Sequence, residues 1–565
     1  MTRSWPRLTM CSRRWYAKFS EQRIGCDSLA SNELLWKQIP FNNDQTMSAS
    51  HSAKTHLLAR LPKFILALER LNEMKSHGFR RWTLAFLMGV LILRGWFHFF
   101  ASPLPDEAYY WLWGQNLDWG YFDHPPLQAW AQALSSWLFG TSKAALRAPT
   151  VASSLVVAFV VLRLSRKLLP ESEARWPLLL AVFISPLYFI FLSMAFNDHL
   201  MIAALSLAGL WAFEEAMSLR NPQAKPYAPR VLGIGLMIGL AGLAKFNAAL
   251  FGLGLVVFLL ADRPSRVLFR SWSVYGAFVL AFLCLLPVLY WNSHNGAPTF
   301  EYNFDNRFVP AKGFTEWFNR ALGLIVLFFL LSGPFLWGRR ALGLFLWRRN
   351  AQSANEVLGR LVLSTFSVST IGCLLVATQV HVLAYWNLPA AILAIPYLVC
   401  NIRKIWVFWA HVIYGSLVAI LLVVNYALFP VSAVNGRPEP ESAIMHGWQG
   451  VADWVVVADE KHQPDFIATT DYRSGSILSF WLNRSDISVI ATRLSQFTLW
   501  LDPAGKQGKT VLLMASDWFP VTDFHRSQFE SLEVIDSFSV TSFGFPVTDY
   551  TLHLGKGFHP PLKQR

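Results

Sequence analysis

The chain has 565 residues, of which 54% are hydrophobic and only 15% are charged, and it contains 44 Phe and 25 Trp. A soluble domain usually carries about 25% charged residues, so this composition excludes an ordinary soluble protein and is typical of side chains that face lipid or headgroups. The net charge of +14 is not gathered on a soluble basic face, so we expect membrane lipids as neighbours and no nucleic acid.

Residues 1–80 are basic, polar and poorly patterned. The first apolar run comes too late for a signal peptide. We therefore predict a cytoplasmic N-terminal extension that is either disordered or the product of a mis-assigned start. The five cysteines form no disulfide framework and have no zinc spacing.

Eleven apolar segments follow between residues 81 and 430, which we predict to be a transmembrane catalytic domain. Each approaches the about 20 residues that a helix needs to cross a bilayer. The fifth and sixth are short and flank Lys245, which predicts a tight helical hairpin there. The predicted spans are 82–101, 146–163, 175–194, 198–217, 231–244, 247–261, 273–291, 320–338, 358–379, 384–401 and 406–428.

Lys and Arg are distributed unequally between the two sets of alternating loops. The loops on the side of the N-terminus contain sixteen, whereas the opposite loops contain four. By the positive-inside rule the N-terminus is cytoplasmic. With an odd number of spans, the segment after residue 430 lies outside, as expected for a multi-pass protein of the plasma (inner) membrane.

Residues 431–565 change character. Short strand-like runs at 465–471, 510–515 and 537–540 lie between polar turns, and a helical stretch covers 446–459. The predicted fold class is thus a polytopic α-helical membrane protein of about eleven transmembrane helices, with a small C-terminal α/β soluble domain outside the membrane.

The first outer loop, 102–145, carries two candidate acid clusters. Asp106 and Glu107 lie at the outer mouth of the first span, before an aromatic run that starts at Tyr109. They are well placed to bind an acceptor and take a proton, or are solvated acids favoured by a helix N-terminus. Asp123 and His124 precede two prolines and form either a rigid polar corner of the site or an ordinary turn.

The next outer loops place one acid and one base on the same side of the membrane. Asp198 follows a very short loop, and a carboxylate at this depth is costly without a partner, although it could also cap the helix. Lys245 could hold a phosphate as a point charge or extend to the headgroups. Weaker outer candidates are Arg307, His381 and Trp386, and a single His at an interface is more often structural.

Nucleotide-binding loops, dinucleotide fingerprints and nucleophile elbows are not apparent in the sequence. A site on the outer face would not meet nucleotide-activated substrates. It would need an activated substrate that the lipid supplies.

Several of these segments resemble the GT-C glycosyltransferases, in particular the bacterial protein-O-mannosyltransferase-like branch that includes the lipid A aminoarabinose transferase and lipopolysaccharide sugar transferases. The most specific match is Asp106-Glu107-Ala-Tyr-Tyr-Trp, followed by Gly120-Tyr-Phe-Asp123-His124-Pro-Pro-Leu. The resemblance runs from about 82 to 430, with an echo at 471–476. Further similar segments are Asn197-Asp198, Gly239–Phe246, Tyr290–Gly296 and Ala384–Pro389.

The resemblance implies an inverting transfer of a sugar from a polyprenyl-phosphate donor to a lipid, glycan or protein acceptor on the outer face. Asp106 would be the base, with Glu107 assisting, and Asp198 would lie on the opposite wall. Lys245 would hold the donor phosphate, and Arg307 and His381 are weaker donor or phosphate contacts. The remaining expected substrate contacts are Tyr109, Asp123, His124 and Trp386.

Some relatives bind a divalent metal, which the acids here could also do, but no metal ligand is assigned. The main rival is a multi-span transporter or a lipid or glycolipid flippase. Such proteins usually contain internal repeats, which the sequence does not show, and they rarely need a long aromatic first outer loop. A structural or assembly subunit is the third alternative.

Overall fold

The computed structural model describes residues 77–169, 175–303, 307–337, 352–436 and 438–560. The predicted N-terminal extension lies outside the described residues except for its last four positions. Residues up to 436 are called the membrane part and residues 438–560 the C-terminal part. The helices of the membrane part are α1 (His77–Phe100), α2 (Pro105–Gln115), α3 (Leu127–Phe139), α4 (Lys143–Leu168), α5 (Arg175–Phe183), α6 (Pro186–Phe191), α7 (Asn197–Ser218), α8 (Ala228–Ala244), α9 (Ala248–Ala261), α10 (Trp272–Asn295), α11 (Pro298–Glu301), α12 (Phe314–Ser332), α13 (Ala354–Val376), α14 (Leu388–Cys400) and α15 (Ile405–Ala427), with short 3-10 helices at Arg263–Arg270, Pro334–Leu336, Ala384–Asn387 and Val431–Asn435.

Seven helices within the described ranges are long and apolar enough to cross a membrane, by length and composition: α1, α4, α7, α10, α12, α13 and α15. Helix α8 and the segment Ala384–Cys400 are apolar but shorter. Helix α9 and the 3-10 helix after it meet at a bend of 108°. The fold class is confirmed and the chain is an integral membrane protein, but the number of eleven spans stays a prediction.

The third predicted span, 175–194, is broken in the structure. Helix α5 ends at Phe183 and α6 begins at Pro186. Proline lacks an N–H and clashes with the preceding helical turn, but it fits the first position of a new helix. The predicted segment is therefore helical, but it forms two helices and not one continuous span.

Close helix packing in the membrane part depends on small side chains. A Cβ at Gly235 of α8 would collide with the backbone of Ala277 in α10. One turn further along, a Cβ at Gly239 would meet Cys284 at 2.8 Å. Because lipid is as apolar as the side chains it displaces, membrane helices associate through such close backbone approach.

The C-terminal part contains five strands, β1 (Phe466–Thr469), β2 (Ser488–Val489), β3 (Val511–Ser516), β4 (Ser531–Ser542) and β5 (Phe545–Lys556). They form one sheet with the order β2-β1-β3-β5-β4. Strand β1 pairs in parallel with β2 and β3, and β5 pairs antiparallel with β3 and β4. Strands β1 and β3 are buried at every position, as their continuous apolar sequences predict for central parallel strands. The helices of the C-terminal part are α16 (Pro440–Ala443), α17 (Trp448–His462), α18 (Tyr472–Leu482), α19 (Gln496–Trp500), α20 (Pro503–Lys506) and α21 (Asp523–Arg526).

The C-terminal part packs directly on the aromatic helix of the first outer loop. The ring of Trp111 in α2 meets Phe480 of α18 edge-on at 5.2 Å. The backbone N–H of Gln496 donates to the Tyr109 hydroxyl at 2.6 Å, and its side-chain oxygen accepts from the Phe122 N–H at 2.8 Å. These buried contacts fix the C-terminal part against α2 and the loop that carries it.

Candidate active site

A cavity of about 990 Å³ lies between the outer loops of the membrane part and the C-terminal part. Its volume is at the upper end of the range of small-molecule sites. Charged side chains of both signs line its wall. They are Asp106, Asp123, Asp198, Lys245, Arg307, Glu441, Arg473 and Arg493.

Asp106 reaches the cavity because α2 begins one residue earlier, at Pro105, and places the acid in its first turn. The Tyr472 hydroxyl donates to Asp106 Oδ1 at 3.4 Å. Burial raises the pKa of Asp106 above the ordinary aspartate value, while the charges of Arg473 and Arg493 oppose that increase. A carboxylate with a raised pKa is suited to accept a proton near neutral pH.

Glu107, its neighbour, faces the protein interior and not the cavity. Both of its oxygens bond to the guanidinium of Arg147, at 2.9 and 2.6 Å, and neither side chain is exposed. The same oxygens accept from the N–H groups of Ala195 at 2.7 Å and Leu104 at 3.0 Å. Glu107 thus ties the first outer loop to the second, away from the cavity wall, and its expected part in the proton transfer stays a prediction.

Asp198 and Lys245 are joined in an ion pair. Lys245 Nζ lies 2.8 and 2.9 Å from the two oxygens of Asp198, and 4.6 Å from the centre of the Tyr385 ring. The Asp198 carboxylate therefore has the cationic partner that offsets the free-energy cost of a charge at this depth. Asp198 lies in the first turn of α7, but Phe196 occupies the cap position and makes no side-chain bond there.

Asp123, which is buried, and His124, which is half-buried, form one corner of the cavity. Asp123 is 9% exposed, and its Oδ1 has no hydrogen-bond partner among the described residues. Burial, reinforced by the charge of Asp106, raises the pKa of Asp123 to about 7. Burial and the charges of Lys245 and Arg307 hold the pKa of His124 well below its usual range. Near neutral pH, Asp123 is therefore partly protonated and His124 is uncharged.

The other expected contacts separate into two groups. Arg307 and Trp386 line the cavity, with the guanidinium 5.5 Å from the centre of the indole ring. Tyr109 is buried against Phe497, with its ring centre 5.8 Å away, and does not reach the cavity wall as the structure describes it. His381 is exposed and lies outside that wall.

Four cavity residues from the C-terminal part were not among the predicted site residues. They are Glu441, Tyr472, Arg473 and Arg493. The short echo at 471–476 was the available signal for two of them. Glu441 and Arg493 are ordinary charged residues of a segment with the composition of a soluble domain. Sequence alone therefore gave no reason to choose them.

The described residues contain no group of three or more His, Cys, Asp or Glu side chains that could hold a metal ion. The cavity carboxylates instead lie among cations, and Asp198 is bound by Lys245. These residues do not fit a divalent metal site, and we assign no step to a metal.

Together these groups can perform two tasks. A buried carboxylate with a raised pKa can take a proton from a nucleophile, and the cationic side chains can stabilise an anionic leaving group. The groups for both tasks line one cavity between the membrane part and the C-terminal part.

Part of the chain is similar in sequence to known glycosyltransferases. Residues 123–291 match the family described as dolichyl-phosphate-mannose-protein mannosyltransferase. The lipid A galacturonosyltransferase RgtD of Rhizobium johnstonii is 28% identical over 208 residues, which cover 35% of this chain. The matched region spans 40% of the length of that relative.

Two crystal structures of ArnT from Cupriavidus metallidurans share the fold. The structure bound to undecaprenyl phosphate has a TM-score of 0.57 at 15% identity and covers 83% of this chain and 98% of that chain. The apo structure has a TM-score of 0.58 at 14% identity and covers 84% and 98%. The two sequence matches confirm the resemblance to GT-C glycosyltransferases, and the two crystal structures confirm the membrane fold.

Proposed function

We propose that the protein transfers a sugar from a polyprenyl-phosphate-linked donor to an envelope lipid at the outer face of the inner membrane, with inversion. The observation that carries the proposal is one cavity that contains both Asp106 and the Lys245–Asp198 pair. The match to a lipid A galacturonosyltransferase and the ArnT fold support a lipid acceptor and a lipid-linked donor.

Lys245 is the proposed donor contact. An ammonium group has three N–H donors, so Lys245 can bind Asp198 and still donate to a phosphate oxygen. The Asp198 carboxylate and the Tyr385 ring hold Nζ in place. As the bond between the sugar and the phosphate breaks, negative charge grows on the leaving phosphate, and the fixed cation stabilises it.

Asp106 is the proposed base. The acceptor hydroxyl attacks the anomeric carbon from the face opposite the phosphate, while Asp106 takes the hydroxyl proton. The carbon–oxygen bond to the phosphate breaks, and the phosphate leaves as an anion with both electrons of that bond. A single displacement of this kind inverts the anomeric centre and needs one base.

The outward orientation of the cavity is part of the proposal. The loops that carry Asp106, Asp198 and Lys245 are poor in Lys and Arg, which is typical of the non-cytoplasmic side. The N-terminus would then be cytoplasmic and the C-terminal part outside, where lipid-linked sugars rather than nucleotide sugars are the activated donors.

Deletion and complementation in the source organism tests the proposal. Mass spectrometry of envelope lipids from the deletion strain should reveal one glycolipid that lacks a single sugar. The wild-type gene and the exposed-surface control Asp453→Asn should restore that sugar, whereas Asp106→Asn should insert into the membrane without restoring it. A complete glycolipid that accumulates on the inner leaflet would instead indicate a flippase.

A further inference from the structure

Two arginines from distant segments meet at one hydroxyl group inside the cavity. Arg307 Nη2 donates to the Tyr302 hydroxyl at 2.9 Å, and Arg493 Nη2 donates to the same oxygen at 3.2 Å. Arg307 belongs to the membrane part and Arg493 to the C-terminal part. We call Arg307, Arg493 and Tyr302 the twin-guanidinium site.

The two arginines of this site differ from the other cavity cations in their partners. Lys245 is bound to Asp198 at 2.8 Å, and Arg473 is bound to Glu441 at 2.9 Å. In the described part of the chain, neither arginine of the twin-guanidinium site has a carboxylate oxygen within 4.0 Å. Two like charges therefore converge on a neutral group without a directly bound anion.

Aromatic rings hold both guanidinium groups in position. Arg307 lies 4.5 Å from the centre of the Tyr302 ring and 5.5 Å from that of Trp386. Arg493 lies 4.4 Å from the centre of the Tyr472 ring. A ring supports the face of a guanidinium and leaves its edge, which carries the N–H donors, available to an anion.

The nearby acids do not neutralise the pair fully. Asp106 and Asp123 line the same cavity, but burial raises the pKa of both above the ordinary aspartate value. Protonation of Asp123, whose pKa lies at about 7, leaves the cavity with an excess of positive charge. A negatively charged ligand would neutralise the excess positive charge of the cavity.

We infer that the twin-guanidinium site binds a second anionic group of the substrates, a carboxylate or phosphate distinct from the donor phosphate at Lys245. The inference rests on the proposed function, because the proposed function assigns the donor phosphate to Lys245. Two planar forks can each donate in bidentate fashion to such a group. Since one arginine comes from each part of the chain, the bound anion would also join the two parts.

The anion has two chemical sources in a sugar transfer to a lipid. It is either a carboxylate on the donor sugar or a phosphate on the acceptor lipid. Each source has a matched neutral compound: the corresponding neutral hexose on the same polyprenyl phosphate, and the dephosphorylated acceptor. These two pairs separate the sources in one experiment.

The test measures binding of the four lipids to the full-length protein in nanodiscs by native mass spectrometry. In at least one pair, the wild type should prefer the anionic member by roughly 10- to 100-fold, the range of a charge-assisted hydrogen bond. Arg307→Gln and Arg493→Gln should abolish that preference. The matched control Arg484→Gln should retain it, because Arg484 binds Asp459 and Asp486 at the surface of the C-terminal part.

A preference in the donor pair identifies a sugar carboxylate, and a preference in the acceptor pair identifies a lipid phosphate. The inference is overturned if the wild type prefers neither anionic member, or if the preference survives both substitutions. It is also overturned if the two variants lose all four lipids equally. Transfer assayed with the same lipids tests the proposed function separately, since selective binding without transfer would count against the activity and not the site.

Discussion

Asp106 and Glu107 are neighbours in α2, yet loss of their charges should have different consequences. Loss of the Glu107 charge should lower the stability of the protein, whereas loss of the Asp106 charge should abolish transfer. Glu107→Gln keeps the size of the side chain but places a neutral amide against the guanidinium of Arg147. That guanidinium is fully buried and donates two hydrogen bonds to the Glu107 carboxylate. Asp106→Asn removes a cavity carboxylate whose one side-chain hydrogen bond among the described residues is the long bond from the Tyr472 hydroxyl.

The magnitudes differ accordingly. Removing one partner of a buried ion pair costs about 3–5 kcal/mol, because the remaining charge stays buried without compensation. This is a large part of a typical stability of about 5–15 kcal/mol. Asp106→Asn should change the free energy of unfolding by no more than about 1 kcal/mol, while transfer is lost.

Thermal denaturation in detergent, followed by fluorescence-detected size-exclusion chromatography, measures the stability of both variants. Transfer is assayed at a temperature where every variant is folded. Glu107→Gln should denature earlier, and the added substitution Arg147→Met should recover part of the loss because no buried charge is then unpaired. A Glu107→Gln variant that is as stable as wild type but inactive would refute the positioning role and would favour a direct part for Glu107 in the proton transfer.

Further predictions concern the pH profile and the donor. Transfer requires ionised Asp106, so it is present above the pKa of that group and lost as pH falls through it. Tyr472→Phe should move this acid limb to higher pH, because the Tyr472 hydrogen bond lowers the pKa of Asp106. Glu441→Gln should move the limb to lower pH, because the Glu441 charge raises the pKa of Asp106. Identical profiles in both variants would show that another group controls the limb. The double variant Lys245→Gln with Asp198→Asn leaves a neutral pair, so it should stay folded while the KM for the donor rises roughly 10- to 100-fold. An unchanged KM would contradict the phosphate contact.

The membrane fold could be predicted from sequence because it depends on local composition. Apolar runs of span length and unequal loop charge need no knowledge of distant contacts. Strands β1 and β3 and part of β4 were likewise visible as short apolar runs between turns, whereas β2 and β5 were not predicted. The break at Pro186 was missed because the total length of the apolar run from 175 to 194 outweighed one residue.

The site was harder to predict because adjacent residues in a helix point in different directions. Successive positions are rotated by about 100°, so Asp106 faces the cavity while Glu107 faces the interior. Nothing local distinguishes the two acids. Arg147, the partner of Glu107, lies in an apolar helix of the membrane part, and Arg493 reaches the cavity only after the C-terminal part has packed on α2.

Transfer of a labelled sugar by the purified, reconstituted protein tests most directly whether the cavity is a glycosyltransferase site. The protein is supplied with a polyprenyl-phosphate sugar and an envelope lipid acceptor, and the glycolipid product is identified by mass spectrometry. Wild type and Asp453→Asn should form the product with inverted anomeric configuration, and Asp106→Asn should not. Equal product formation by Asp106→Asn, or movement of intact lipid across the bilayer without transfer, would contradict the proposal.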